Sequence, residues 1–164
     1  LYKICTQEMI IGNRGIVANG VGKIRTNGLL SGKMKQLEII NKLNQLDLFG
    51  QLVETTNIYE HYDCYNDNYI IEIKSRQRQY NPWIIERNKY DHNYKQAVQD
   101  KKLFIYLTEY KTKMIAWNIT DLTLNGYNFN WETRLQPETT EFYLDEPIPK
   151  RVGYLLEQFG KILR

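Results

Sequence analysis

Hydrophobic positions recur along this chain with two different periods. Leu37, Ile40, Leu43, Asn44 and Leu48 fall three and four apart, which predicts a helix over Lys33–Asp47, with Ser31 able to cap its start and Gly50 just past its end. The segments Gln51–Asn57, Ile58–Tyr65 and Tyr69–Arg76 are rich in Val, Ile, Thr and Tyr and read as strands, the last two separated by the turn cluster Asn66-Asp67-Asn68. Asn81-Pro82 has the form of a helix start, with Asn as cap and Pro in the first turn, and predicts a second helix whose buried stripe is Trp83, the stem of Arg87, Tyr90, Tyr94 and Val98. Leu103–Tyr110 and Lys113–Ile119 form a strand pair around a tight Lys111-Thr112 turn. From Asp121 to Lys150 the periodicity is weak, with scattered aromatics and Pro137, Pro147 and Pro149, so that stretch reads as irregular with short strands. Val152, Leu155, Leu156, Phe159, Ile162 and Leu163 then line one face of a closing amphipathic helix. The order α-β-β-β-α-β-β plus a C-terminal helix predicts an α/β fold with a central mixed β-sheet flanked by helices.

The N-terminal part breaks this pattern. Gly12, Gly15, Gly20, Gly22, Gly28 and Gly32 punctuate a stretch that carries Arg14, Lys23 and Arg25 but no acid, which reads as a basic lead-in or arm over residues 1–32 ahead of a single domain over 33–164. Gly20-Val21-Gly22-Lys23 is not a phosphate-binding P-loop, because Val17 and Ile24 stand where that pattern needs Gly and Ser or Thr. The 164 residues suit one core, and 22 Lys plus Arg against 19 Asp plus Glu give a net charge of only +3. No stretch is apolar for long enough to span a bilayer, and no segment has the form of a secretory signal, so a cytoplasmic protein with no membrane partner is the expectation. Cys5 and Cys64 are the only cysteines and His61 and His92 the only histidines, which excludes a disulfide framework, a four-cysteine zinc site and a histidine-rich metal site. Thirteen tyrosines on a slightly basic chain suit a wet, phosphate-facing surface, and a coding bias toward A·T-rich triplets would enrich the same residues.

Chemistry concentrates in Tyr62 to Arg76. In a strand, Ile70, Glu72, Lys74 and Arg76 share one face while Tyr69, Ile71, Ile73 and Ser75 share the other, so three charged side chains line one face beside an apolar one. If the hairpin loop has an even length, Asp63 falls opposite Glu72; an odd loop moves it to the face of Ile71. Like charges placed opposite each other destabilise a sheet, unless a divalent cation sits between them or Lys74 neutralises them. A site of oxygen ligands with spare water positions suits Mg²⁺. Such a site has the parts for phosphodiester hydrolysis: the cation polarises the phosphate and acidifies a water, and Lys74 orients that water or stabilises the transition state. Glu38, on the first helix, is placed to add a carboxylate or to bind a second cation. The plain alternative is a surface strand with a Glu-Lys ladder.

A helix bearing Glu38, a strand, a strand with Asp63, a turn, a strand with Glu72-Ile73-Lys74, then a helix and a strand pair: this ensemble, over roughly 32–119, resembles the PD-(D/E)xK nuclease superfamily, the restriction-endonuclease-like fold. The resemblance implies that Asp63 and Glu72 bind Mg²⁺, with Mn²⁺ able to substitute, that the backbone carbonyl of Ile73 adds a ligand, and that Lys74 serves the attacking water. Tyr62 stands where the name motif has Pro, a departure common in that superfamily. Beyond the core, Ser75-Arg76, Tyr80, Asn81-Pro82, Ile85-Glu86 and Lys89-Tyr90 look like small phage and type II restriction endonucleases, which implies that Arg76, Gln77, Arg78 and Lys89 lie near the phosphates.

The expected function is therefore a Mg²⁺-dependent endonuclease of phage, mobile-element or restriction type, with double-stranded DNA as the expected partner. Two alternatives stand beside it: a catalytically silent nucleic-acid-binding module of the same fold, and an RNA-processing nuclease. A two-fold homodimer would bring one active site to each strand, whereas a monomer would nick.

Overall fold

In the computed structural model the described residues are 26–57, 59–76, 79–111, 113–136 and 147–163, with side chains described from Lys35 onward. The elements run α1 (Thr26–Leu46), β1 (Val53–Glu54), β2 (Cys64–Tyr65), β3 (Tyr69–Arg76), β4 (Trp83–Glu86), α2 (Arg87–Asp100), β5 (Leu103–Tyr110), β6 (Lys113–Asn118), α3 (Ile119–Leu124), β7 (Glu132–Gln136), β8 (Ile148–Leu155) and β9 (Lys161–Leu163). A six-stranded mixed sheet has the order β1-β2-β3-β5-β6-β9, and a second sheet of three strands has the order β4-β8-β7. In the large sheet only β3 and β5 run parallel, and β4 and α2 make the crossover that such a pairing requires. The expected α/β class with a mixed sheet is what the chain forms.

Residue alternation along β3 and β5 divides the core in two. Ile71, Ile73, Ile105 and Leu107 face α1 and pack on Ile39, Ile40 and Leu43. Ile70, Phe104 and Tyr106 face the other way, onto Trp83 and Ile85 of β4 and Tyr90 and Ala97 of α2. Because both faces are covered, β5 is buried from Phe104 through Thr108, the continuous apolar run expected of an interior strand. No helix among the described residues is long and apolar enough to cross a membrane.

Several elements differ from expectation. Helix α1 begins at Thr26 and includes Gly28 and Gly32, so the last part of the supposed lead-in is helical and Ser31 lies inside the helix. Each glycine costs about 1 kcal/mol against alanine, and the good helix formers around them (Leu29, Leu30, Lys33, Met34) outnumber them. The rest of the arm, residues 1–25, lies outside the described residues. The first two predicted strands shrink to β1 and β2 among the described residues, which do not include Ile58. Trp83–Glu86 is a strand rather than the start of a helix: three bulky apolar residues in succession pair with β8, Trp83 opposite Leu155 and Ile85 opposite Gly153. Helix α2 therefore starts at Arg87 and buries Tyr90, Asn93 and Ala97, leaving Val98 57% exposed. The Asp121–Lys150 stretch holds the end of α3 and strand β7, and its residues 137–146 lie outside the described residues.

The predicted C-terminal helix is absent; β8, a short 3₁₀ turn (Glu157–Phe159) and β9 take its place. Its two glycines explain this. A Cβ on Gly153 would sit 2.8 Å from Cζ3 of Trp131, and one on Gly160 would sit 2.5 Å from Cγ2 of Ile115. Each glycine lets the backbone lie directly on a ring or branched side chain, a contact worth more than a helix that glycine weakens.

Candidate active site

The site forms where β2, β3 and α2 meet, on the sheet face turned away from α1. Asn66 builds the turn that sets the register: its Oδ1 accepts the N–H groups of Asn68 (3.0 Å) and Tyr69 (2.9 Å). The loop is even, and Cys64 pairs with Ile71 and Tyr65 with Ile70. One step further the ladder breaks. The N–H of Asp63 donates to the carbonyl of Ile71 (2.9 Å), the residue that Cys64 already opposes, while the carbonyl of Asp63 accepts from the N–H of Thr55 (2.9 Å). Two residues thus stand opposite one, a β-bulge, which bends the strand and re-aims its side chain. The Asp63 carboxylate is carried across to β3, where Oδ2 accepts the N–H of Ile73 at 2.6 Å.

Glu72 points from the middle of β3 into the α2-side layer and is fully buried. Lys74, two residues on and on the same face, folds back so that Nζ lies 2.7 Å from Glu72 Oε1. This is a close ion pair whose angle leaves Oε1 without a well-aligned hydrogen bond. Lys89, in the first turns of α2, donates from Nζ to Glu72 Oε2 (3.3 Å) and to the carbonyl of His61 (2.9 Å). The buried amide of Asn93, one helical turn later, donates to the same carbonyl at 3.0 Å and so ties α2 to the loop ahead of β2. The rings of His61 and His92 stack there with centroids 4.0 Å apart.

These neighbours set the proton affinities. Burial and then the charge of Glu72 push the Asp63 carboxyl up from 3.8 to about 7, against the opposing pull of the Ile73 N–H, Lys74 and Lys89. Burial works against the Lys74 ammonium, but Glu72 beside it outweighs that penalty and holds Lys74 above the usual lysine range. Lys74 therefore stays a cation at neutral pH: it can donate hydrogen bonds and stabilise negative charge, and it is not a base. His61 is lowered, first by burial and then by His92.

Of the residues expected at the site, the structure brings Asp63, Glu72, Ile73 and Lys74 together. Lys89, expected along the phosphates, lies against Glu72 itself. Arg76 continues the same face of β3, close to the buried Tyr106 hydroxyl and 5.6 Å from the Tyr80 ring centroid. Gln77 and Arg78 lie outside the described residues. Glu38 makes no contact with the other site residues in this structure. It is exposed on α1, and no contact joins it to Asp63, Glu72 or Lys74, although Gln36 of the same helix lies with Nε2 3.5 Å from the Asp63 carbonyl. Sequence reasoning missed Asn93, which stands four residues after Lys89 on the same side of α2. It also missed Tyr106 and Thr108, register partners of Glu72 and Lys74, which the alternation of β5 would have placed once its pairing with β3 was known.

Among the described residues no three His, Cys, Asp or Glu side chains gather in a way that would hold an ion, so a cation here would have two carboxylates and complete its shell with water. Two observations fit that arrangement. The Asp63 carboxyl, raised by burial and then by the charge of Glu72, is one whose ionised form a cation would favour. Among the described residues, the buried hydroxyls of Thr55 and Thr108, beside Asp63 and Lys74 in the sheet, have no hydrogen-bond partner. Mg²⁺, which keeps several waters, suits such a donor set. The chain matches no protein-family model and no curated protein in sequence.

Proposed function

We propose that this protein is a Mg²⁺-dependent endonuclease that hydrolyses phosphodiester bonds of DNA, built on a restriction-endonuclease-like core. The observation that carries the reading is the hydrogen bond from the N–H of Ile73 to Asp63 Oδ2, which fastens one carboxylate between Glu72 and Lys74 and so gathers two acids and a lysine at one point of the sheet. Asp63 and Glu72 would hold the cation, with the Ile73 carbonyl beside them. When bound, the cation polarises the scissile phosphate and makes a coordinated water acidic. Lys74, always protonated, donates to the incoming oxygen and offsets the charge that builds on phosphorus. Lys89 supplies a second positive charge at the acid pair, and Arg76 extends the positive face of β3 toward the flanking phosphate. Incubation with supercoiled plasmid tests this: relaxed or linear product with Mg²⁺ or Mn²⁺, none with EDTA, is the expected result, and intact plasmid under all conditions overturns it.

One observation favours the silent-module alternative. Both Glu72 oxygens are already engaged by ammonium groups. That reading predicts salt-sensitive DNA binding with no cleavage by either metal, and the same assay run on RNA separates the RNA-processing alternative.

A further inference from the structure

Lys74 directs its ammonium at Glu72. The ammonium lies on Oε1, the atom that a cation would also claim. A cation bound through that oxygen sets a second positive charge against the ammonium and weakens its hold on the carboxylate, and an ammonium moved off the carboxylate in a buried layer needs another acceptor.

Parallel pairing of β3 with β5 sets Tyr106 beside Glu72 and Thr108 beside Lys74, on the same face of strands about 4.8 Å apart. Tyr106 is committed, since its hydroxyl donates to the carbonyl of Ile84 at 3.0 Å. Thr108 is not. It is 1% exposed, and its hydroxyl has no hydrogen-bond partner. Burying a hydroxyl without a partner is unfavourable, and valine would fill the same space and is the better strand former. A hydroxyl kept there at a cost in stability has a use in some other state of the site.

We propose that Thr108 is a positioning residue for Lys74: its Oγ accepts the ammonium when a divalent cation takes Glu72, and so holds Lys74 beside the reacting phosphate instead of on the carboxylate. This rests on the endonuclease reading for its chemistry, while the handover itself needs only the cation.

The test compares wild type, Thr108→Val and Thr108→Ser in three measurements. Mn²⁺ binding to the DNA-free protein is followed by electron paramagnetic resonance of the free ion, melting temperature is read in EDTA, and kcat and KM are determined for plasmid cleavage at saturating Mn²⁺. Thr108→Val is expected to bind Mn²⁺ about tenfold more weakly and to cleave with a kcat about tenfold lower at unchanged KM, the loss of one hydrogen bond to a charged group. Its melting temperature in EDTA equals or exceeds that of wild type, and Thr108→Ser restores both binding and kcat. Wild-type Mn²⁺ affinity in Thr108→Val overturns the handover, as does weaker binding with a lowered melting temperature in EDTA, which marks a packing defect. A wild-type protein that binds Mn²⁺ but does not cleave overturns the endonuclease reading alone, leaving the handover to the binding comparison. One that binds no Mn²⁺ overturns both.

Discussion

Replacing Asp63 with Asn removes a charge that the fold holds at a loss while keeping an oxygen for the N–H of Ile73. The carboxyl is pushed up from 3.8 to about 7, so ionising it is harder in the folded chain than in the unfolded one. At ~1.4 kcal/mol per pKa unit, carrying the ionised group at pH 8 costs roughly 2–4 kcal/mol, the lower figure allowing for partial solvent screening. The sign follows from proton binding. Between about pH 4 and 7 the folded state retains the proton that the unfolded state has released, so stability falls as pH rises through that window; below it both states are protonated and the cost vanishes. In EDTA at pH 8, Asp63→Asn should melt roughly 5–10 °C above wild type, with the gap closing toward pH 4. Mg²⁺ should stabilise wild type at pH 8 and leave the variant unchanged, and the variant should not cleave. A variant that melts lower than wild type at pH 8, or a difference independent of pH, would refute the claim that Asp63 is a strained partner of Glu72.

Other consequences follow from the same contacts. Lys89→Met takes a cation from Glu72 Oε2 and a donor from the His61 carbonyl, leaving Lys74 and Asn93 as the remaining partners, and should cost about 2 kcal/mol in urea unfolding at pH 7. Gly160→Ala places a methyl group 2.5 Å from Ile115 and 2.8 Å from Trp117, and should lower stability by about 1–3 kcal/mol with cleavage unimpaired at low temperature. Glu38→Gln should leave plasmid cleavage within about twofold of wild type, since its side chain is exposed and joins none of the site residues; a loss of about a hundredfold would return Glu38 to the site.

The parts of this site that lie next to one another in sequence were legible there. Period-two alternation put Glu72, Lys74 and Arg76 on one face of a strand, and the Asn66 cluster marked the turn, whose even length only the register shows. What was hidden depended on contacts between distant segments. The bulge at Asp63 leaves no periodic trace, so an expected cross-strand carboxylate pair turned out to be a carboxylate bonded to the backbone of the opposite strand. Lys89 was expected along the phosphates, and only the docking of α2 on β3 turns it onto Glu72. Asn81-Pro82 imitated a helix start while Trp83-Ile84-Ile85 carried the stronger strand signal. At the C-terminus the spacing of Val152, Leu155 and Phe159 fits a helix as well as a strand followed by a turn, and Gly153 and Gly160 were the residues that distinguished them.

The most direct measurement pairs cleavage with binding for Lys74→Ala. Its side chain is the only one of the convergent group that would touch the reacting phosphate without holding the cation, and its loss still leaves Glu72 its contact with Lys89. Supercoiled plasmid with Mg²⁺ reports cleavage, and a gel-shift titration with the same DNA in Ca²⁺ reports binding. The account predicts at least a hundredfold loss of cleavage with duplex affinity within about threefold of wild type. Undiminished cleavage by Lys74→Ala would contradict it.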